Sequence, residues 1–276
     1  MKKVAIQGEH ASYHDLAAHK FFGDDIRVVS CRNFKETFSV LSEKKADYML
    51  VAIENSLYGS LNEVYDLLLK DKFWIIGEEY IRVEFCLIGL PGAEIENIKE
   101  VHSQVFALGE CEDYLNTTLA HAKRFEEDDT AGSVSLIKQW ADPAKAAIAS
   151  REAAKALGME ILASGIETHH ENYTRFVILA PNKELVKDSN KSSILLTTRA
   201  DTKPGALLRA LQIFSDRNIN MTMLQSRPIL GKAWHYLFYI DVEIGDSSPD
   251  FEAVLQELET AGCHANVLGS YKSNRI

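Results

Sequence analysis

No apolar run in the 276 residues approaches the roughly 20 that a bilayer-spanning helix needs, and nothing reads as a membrane segment. The opening MKKVAIQ carries two lysines, but its apolar run stops at Ile6, too short for a signal-peptide core, so a cytoplasmic protein is expected. Cysteine is scarce: Cys31, Cys86, Cys111 and Cys263 lie far apart, with no CxxC pair and no histidine at zinc-ligand spacing. That excludes a disulfide framework and a zinc module and leaves reduced, mostly buried thiols. Positive charge is the minority sign, 30 Lys and Arg against 40 Asp and Glu, and a net charge of -10 argues against a broad nucleic-acid footprint. Missing too are a GxGxxG fingerprint, a GxxxxGK[ST] phosphate loop and a GxSxG elbow. There is no low-complexity tract, and the two halves are not repeats of each other.

What is present is 46% hydrophobic residues, enough to bury sizeable cores in two ordinary domains. Over the first 180 residues short apolar runs alternate with amphipathic ones: KKVAIQ then DLAAHKFF, IRVVS then FKETFSVLSEKK, YMLVAIE then LNEVYDLLLKD. This strand–helix rhythm predicts an α/β domain with largely parallel strands. FWIIGEEYIRVEFCLIGLPG reads as one or two long strands, after which a second α/β series begins. Two series predict two lobes with a cleft between them, RFVILA returning the chain to the first. The polar stretch 182–191 reads as a linker between a domain over 1–181 and another over 192–276. In the latter, SILLTTRA, GALLRALQIFSDRN, NMTMLQSRPI, AWHYLFYIDVEI, DFEAVLQELETAG and HANVLGSYK give the order βαββαβ, the ferredoxin-like plan.

Four polar clusters in the first region are candidates for chemistry: Glu54-Asn55-Ser56, His102-Ser103-Gln104, Asp129 to Ser133 with Thr130, and Asn172 to Arg175. The first three precede predicted helices, where the carboxyl ends of strands and helix N-termini suit an anionic ligand. Each has a plainer reading: Ser60 with Glu63 spells a capping box, and Ser103 or Asp129 would serve as N-caps. Arg175 keeps its charge, so it is exposed, paired with an internal carboxylate, or placed for a ligand carboxylate. His10, His14 and His19 read as surface histidines, and His169-His170-Glu171 as a solvated loop rather than a metal site.

Together IENSLYGS, VHSQVFALGEC, DTAGS, AAIAS and NYTRFVIL, followed by KPGALLRAL and NMTMLQSRP, resemble a prephenate dehydratase with an ACT regulatory domain. The resemblance runs nearly end to end. It implies a two-lobed catalytic domain like periplasmic binding proteins, converting prephenate to phenylpyruvate with no metal or organic cofactor. By resemblance Thr174 is the residue essential for dehydration, while Asn172, Arg175, Phe176, Glu54, Asn55, Ser56, His102, Ser103, Gln104, Thr130 and Ser133 surround the substrate. Arg175 would clamp a carboxylate, and His102 or Glu54 would supply the proton. The resemblance also implies an L-phenylalanine feedback site at Gly205, Ala206, Leu207, Leu208, Asn220 and Gln225-Ser226-Arg227-Pro228, in a homodimer or homotetramer formed through ACT domains. The departures from the family pattern are Ala11 in place of a glycine, His14 where serine is frequent, IETHHEN without the aspartate often found there, and Gln225 in place of a glutamate. Arogenate dehydratase is the enzyme alternative, and a non-catalytic two-lobed small-anion binder the alternative of another class. A chorismate mutase domain ahead of Lys2 is not expected.

Overall fold

The computed structural model describes residues 1–198, 204–229, 231–245 and 248–275. Arg199 and Ala200 of SILLTTRA, Lys203 of KPGALLRAL and the terminal Ile276 therefore lie outside the described residues.

The elements follow in the order β1 (Lys2–Gln7), α1 (Tyr13–Phe22), β2 (Ile26–Cys31), α2 (Phe34–Ser42), β3 (Tyr48–Asn55), β4 (Gly59–Ser60), α3 (Asn62–Lys70), β5 (Trp74–Arg82) and β6 (Cys86–Gly89). Then come β7 (Glu100–Ser103), α4 (Val105–Glu110), α5 (Glu112–Thr117), β8 (Lys123–Glu126), α6 (Thr130–Trp140), β9 (Lys145–Ala149), α7 (Arg151–Leu157), β10 (Glu160–Ser164) and β11 (Tyr173–Ala180). The last series is β12 (Lys191–Thr198), α8 (Ala206–Asp216), β13 (Met221–Pro228), β14 (Tyr236–Val242), α9 (Pro249–Thr260) and β15 (Cys263–Tyr271).

One sheet runs β2-β1-β3-β11-β5 with β4 beside β3, and a second runs β10-β6-β9-β7-β8. The expected return of RFVILA to the first sheet is what β11 does. The strands are less uniformly parallel than the rhythm predicts: β1 pairs parallel with β2 and β3, whereas β6 is antiparallel to both β10 and β9. The third sheet, β13-β14-β12-β15, with α8 and α9, has the expected βαββαβ order.

The chain divides into two compact units, 1–59 with 80–176 and 60–79 with 177–276. In the first, the strand KAAIA buries Ala146, Ala147, Ile148 and Ala149 in succession, as a strand covered on both faces must, and only Lys145 is part-exposed. In the second, strand alternation gives the sheet two buried faces. Ile194, Leu196, Ile240 and Val242 meet Phe214, Val254 and Leu258 of the helices. On the other face the Tyr239 ring meets Tyr65 of α3 at a tilt, centroids 4.8 Å apart, and donates its hydroxyl to the Tyr65 carbonyl at 2.7 Å.

Candidate active site

The polar entrance to β11 is built from the end of β3 upward. Asn55 closes an Asx turn, its side-chain oxygen accepting from the backbone N–H groups of Leu57 (2.9 Å) and Tyr58 (3.0 Å). Those two donors fix the amide's orientation and aim its NH2 group at β11. There it donates to the Asn172 side-chain oxygen at 2.7 Å and to the Thr174 hydroxyl oxygen at 3.1 Å. Asn172 is fully buried, so its own NH2 group must find an acceptor, and it donates to the Glu110 carboxylate at the end of α4. The backbone of Asn172 is held as well, its carbonyl accepting from Val83 N–H at 2.8 Å.

The direction of these bonds decides what the site does. Thr174 accepts from Asn55, and its hydroxyl hydrogen has no acceptor among the described residues. At the other end Glu110 is largely buried, and burial pushes its carboxyl up to about 7 against the lowering effect of the Asn172 bond, with the nearby Glu167 raising it further.

The other expected residues are dispersed. Ser56 donates to the Glu171 carbonyl (3.1 Å) and accepts from Tyr173 N–H (2.9 Å), which spends its hydroxyl on joining the strands. Arg175 lies beside Glu54 at 3.9 Å, and alternation along β3 and β11 puts that pair on the sheet face opposite Asn55 and Thr174. Arg175 and Thr174 thus point to opposite faces of the sheet. Phe176 shares the Thr174 face but is core, packed edge-on against His14 at 4.9 Å.

His102 points away from the cluster. It stacks on Phe125 at 4.8 Å, lies edge-on to Trp140, and faces Glu127 (2.9 Å) and Glu100 (3.4 Å), Glu100 being paired with Lys145. Neither His102 nor the sheet-reversed Glu54 sits where a proton source for Thr174 is needed. Ser103 is buried and donates to the Ile148 carbonyl at 2.6 Å, and Gln104 takes the N-cap position of α4 without a side-chain bond. Asp129 caps α6 by accepting from Gly132 N–H at 2.7 Å, and Ser133 donates back to the Asp129 carbonyl at 2.7 Å. Thr130 opens this helix, whose N-terminal charge site is thus already filled by a carboxylate. A cavity of about 460 Å³ adjoins it, lined by Glu9, Glu127, Asp128 and Asp129 with His10, an acidic wall that repels a dianion. No group of three or more metal-ligating side chains occurs among the described residues.

His14 of α1 differs from the expected surface position. His14 is buried, its Nε2 accepts from Ala52 N–H at 3.2 Å, and burial lowers its pKa to about 3. Ala11, where the family pattern has glycine, sits in the left-handed region at φ +64°, a conformation that costs a Cβ-bearing residue about 1–2 kcal/mol.

In the second unit Gly205 begins α8 at φ +88°, which only glycine adopts freely, followed by Ala206, half-buried Leu207 and exposed Leu208. Asn220 donates to Glu243 at 2.8 Å. Gln225 accepts from Ser60 at 2.8 Å, which replaces the expected Ser60–Glu63 capping box, and Leu61 is the N-cap of α3. Arg227 forms a bidentate pair with Asp66 at 2.6–3.0 Å. Ser226 and Pro228 complete β13, an edge strand.

An α/β region that presents one oriented hydroxyl from a buried amide chain, followed by a ferredoxin-like sheet, is the build of a small-molecule enzyme carrying a regulatory domain. Residues 4–184 match the prephenate dehydratase family and residues 194–260 match the ACT domain. Over 269 residues the chain is 34% identical to the bifunctional chorismate mutase/prephenate dehydratase of Aquifex aeolicus (strain VF5), covering 98% of this chain and 73% of that protein. It is 35% identical over 281 residues to the chloroplastic arogenate dehydratase/prephenate dehydratase 2 of Arabidopsis thaliana, covering 98% and 72%. Among solved structures, prephenate dehydratase from Arthrobacter aurescens in complex with L-Phe superposes with a TM-score of 0.87 at 25% identity, covering 98% of this chain and 89% of that one. GqqA, described as a novel type of quorum quenching acylase, superposes with a TM-score of 0.88 at 28% identity, covering 99% and 98%. The chain belongs to the prephenate dehydratase family, and as such is a lyase that removes water and carbon dioxide from prephenate.

Proposed function

We propose that Thr174 delivers the hydrogen bond that draws off the ring hydroxyl of prephenate, with Asn55 and Asn172 holding it in place. The observation that supports this reading is the bond from Asn55 to Thr174, which leaves the threonine hydroxyl without a protein acceptor among the described residues. Prephenate is a dianion with a ring carboxylate and a doubly allylic hydroxyl. As the carboxylate leaves as carbon dioxide, its C–C bonding electrons pass into the ring, aromatise it, and expel the hydroxyl, which takes up a proton and departs as water. Threonine is too weak an acid to be the source of that proton, so Thr174 orients the leaving oxygen and stabilises its developing charge. Removing the ring carboxylate from water favours its loss.

Residues 1–181 act as the catalytic domain, 182–191 as the linker and 192–276 as the ACT domain, in a cytoplasmic homo-oligomer. The unpaired edge of β13 in its own sheet supports self-association. L-Phenylalanine acts as feedback effector at Gly205–Leu208 and Gln225–Pro228, which the ACT match and the L-Phe complex of the A. aurescens relative support.

The test gives purified protein prephenate and, separately, arogenate, following phenylpyruvate and phenylalanine, with a phenylalanine titration in the first assay. Phenylpyruvate formation suppressed by phenylalanine is expected. Faster turnover of arogenate would replace the substrate, and activity flat across the titration would remove the feedback site.

A further inference from the structure

Glu110 and Glu167 are buried carboxylates close enough to act on one another, and their surroundings differ. Glu167 accepts from Phe85 N–H at 3.0 Å and faces Arg82 at 3.6 Å and His170 at 3.2 Å, so its charge is answered. The Glu110 carboxylate instead meets the neutral Asn172 amide. The remaining titratable groups facing it, Tyr13 from α1, Tyr58 after β3 and Cys111 at the head of α5, bring no positive charge. Burial raises all three, holding the phenols and the thiol neutral, and Tyr13 spends its hydrogen on the Glu84 carbonyl at 2.7 Å.

The polarity of the amide chain makes Glu110 necessary. Backbone donors at Leu57 and Tyr58 fix Asn55, which fixes Asn172 with its NH2 group outward, and an acceptor must then stand where Glu110 stands. Without it a fully buried NH2 group is orphaned, Asn172 gains by turning over, and Asn55 then faces a donor instead of an acceptor. The orientation of the Thr174 hydroxyl hydrogen depends on the same chain.

We propose that Glu110 is a positioning residue for the dehydration, its carboxyl locking the Asn172–Asn55–Thr174 chain and its neutral form being the one that admits a dianionic substrate. This rests on the reading of Thr174 and of prephenate given above. An ionised Glu110 adds an uncompensated negative charge beside two arriving carboxylates, whereas the neutral acid still accepts from Asn172 through one oxygen.

The test compares the full-length protein with Glu110→Gln and Glu110→Leu. In the wild type kcat/KM for prephenate is expected to fall about tenfold per pH unit above neutrality, through a rise in KM. Glu110→Gln keeps an acceptor for Asn172 but does not titrate; it is expected to lower kcat at pH 6 about threefold and to abolish the descending limb. Glu110→Leu, which orphans Asn172, is expected to lower kcat at least about tenfold at every pH. A carbon-13 titration of labelled glutamate carboxyls in the ligand-free protein should show one resonance moving near pH 7, absent from Glu110→Gln. The proposal is overturned if Glu110→Gln keeps the wild-type limb or if no carboxyl titrates near neutrality. No phenylpyruvate from the wild type at any pH would instead overturn the reaction, with the carboxyl titration unaffected.

Discussion

Each unit of this molecule buries a polar cluster, and the two are wired differently. In the second, the Lys191 ammonium lies 2.8 and 3.1 Å from the Glu78 carboxylate and 3.8 Å from Asp241. Ser273 donates to Glu78 and Ser193 to Asp241, while Asn274 donates to Glu79 beside them. Strong charges answer one another inside that network. In the first, Asn55, Asn172 and Thr174 are neutral, and the chain they form has two open ends, a hydroxyl hydrogen and a carboxyl poised near neutrality. A network closed on itself serves stability. One whose last donor has no protein acceptor is open to a ligand, which is the role proposed for Thr174.

Breaking the closed network should have the largest effect. Lys191→Met leaves Glu78 and Asp241 as buried carboxylates without their cation and is expected to cost about 3–5 kcal/mol in urea-induced unfolding. A cost below about 1 kcal/mol would mean that water or another cation already answers those carboxylates. Opening the other network should do the reverse. Thr174→Val keeps shape but removes the hydroxyl and is expected to lower kcat about 10²- to 10³-fold, while unfolding changes by no more than about 1.5 kcal/mol. Near-normal turnover in the folded variant would make Thr174 a structural residue.

The smallest effect comes from His14, which belongs to neither network. Its folded pKa of about 3 lies below the unfolded value, so the unfolded chain binds the proton more readily and stability is lost as pH falls from about 6.5 toward 3. Between pH 7 and 5 that amounts to about 2 kcal/mol, and His14→Gln, which still offers Ala52 N–H an acceptor, should flatten the slope. An equal slope in both proteins would assign the acid sensitivity elsewhere. Glu110 works in the opposite sense: its folded pKa is raised to about 7, so stability falls as pH rises from the ordinary carboxyl range toward 7 and levels off above it.

The element order was legible because apolar runs and turn residues are local signals, and the βαββαβ series was read almost residue for residue. Asn55, Asn172 and Thr174 were legible because polar side chains at strand ends conflict with the local pattern. Side-chain direction was not. His102 and Ser103 are adjacent in sequence, yet alternation on a four-residue strand sends them to opposite faces, and the same rule parts Thr174 from Arg175. Glu110 escaped notice because FALGEC reads as an ordinary short helix with one acid. Only the fold brings Asn172, 62 residues away, against it. The departures at Ala11 and His14 mark places where the backbone turns left-handed and where a histidine enters the core.

The helix and half-strand at 60–79 carry a consequence for how this protein could be cut or recombined. They pack with the C-terminal sheet: Gly269 lies so close to Ile75 that a Cβ there would stand 2.0 Å from the Ile75 carbonyl oxygen, and Tyr65, Asp66 and Glu78 all bond to it. Severing the chain at 182–191 would thus not release a self-sufficient catalytic fragment. It would strip the cover from α3 and from the start of β5, whose far end leads to Val83 and its bond to Asn172. Residues 60–79 belong to the same compact unit as the C-terminal sheet, so exchanging that sheet between relatives requires residues 60–79 to travel with it.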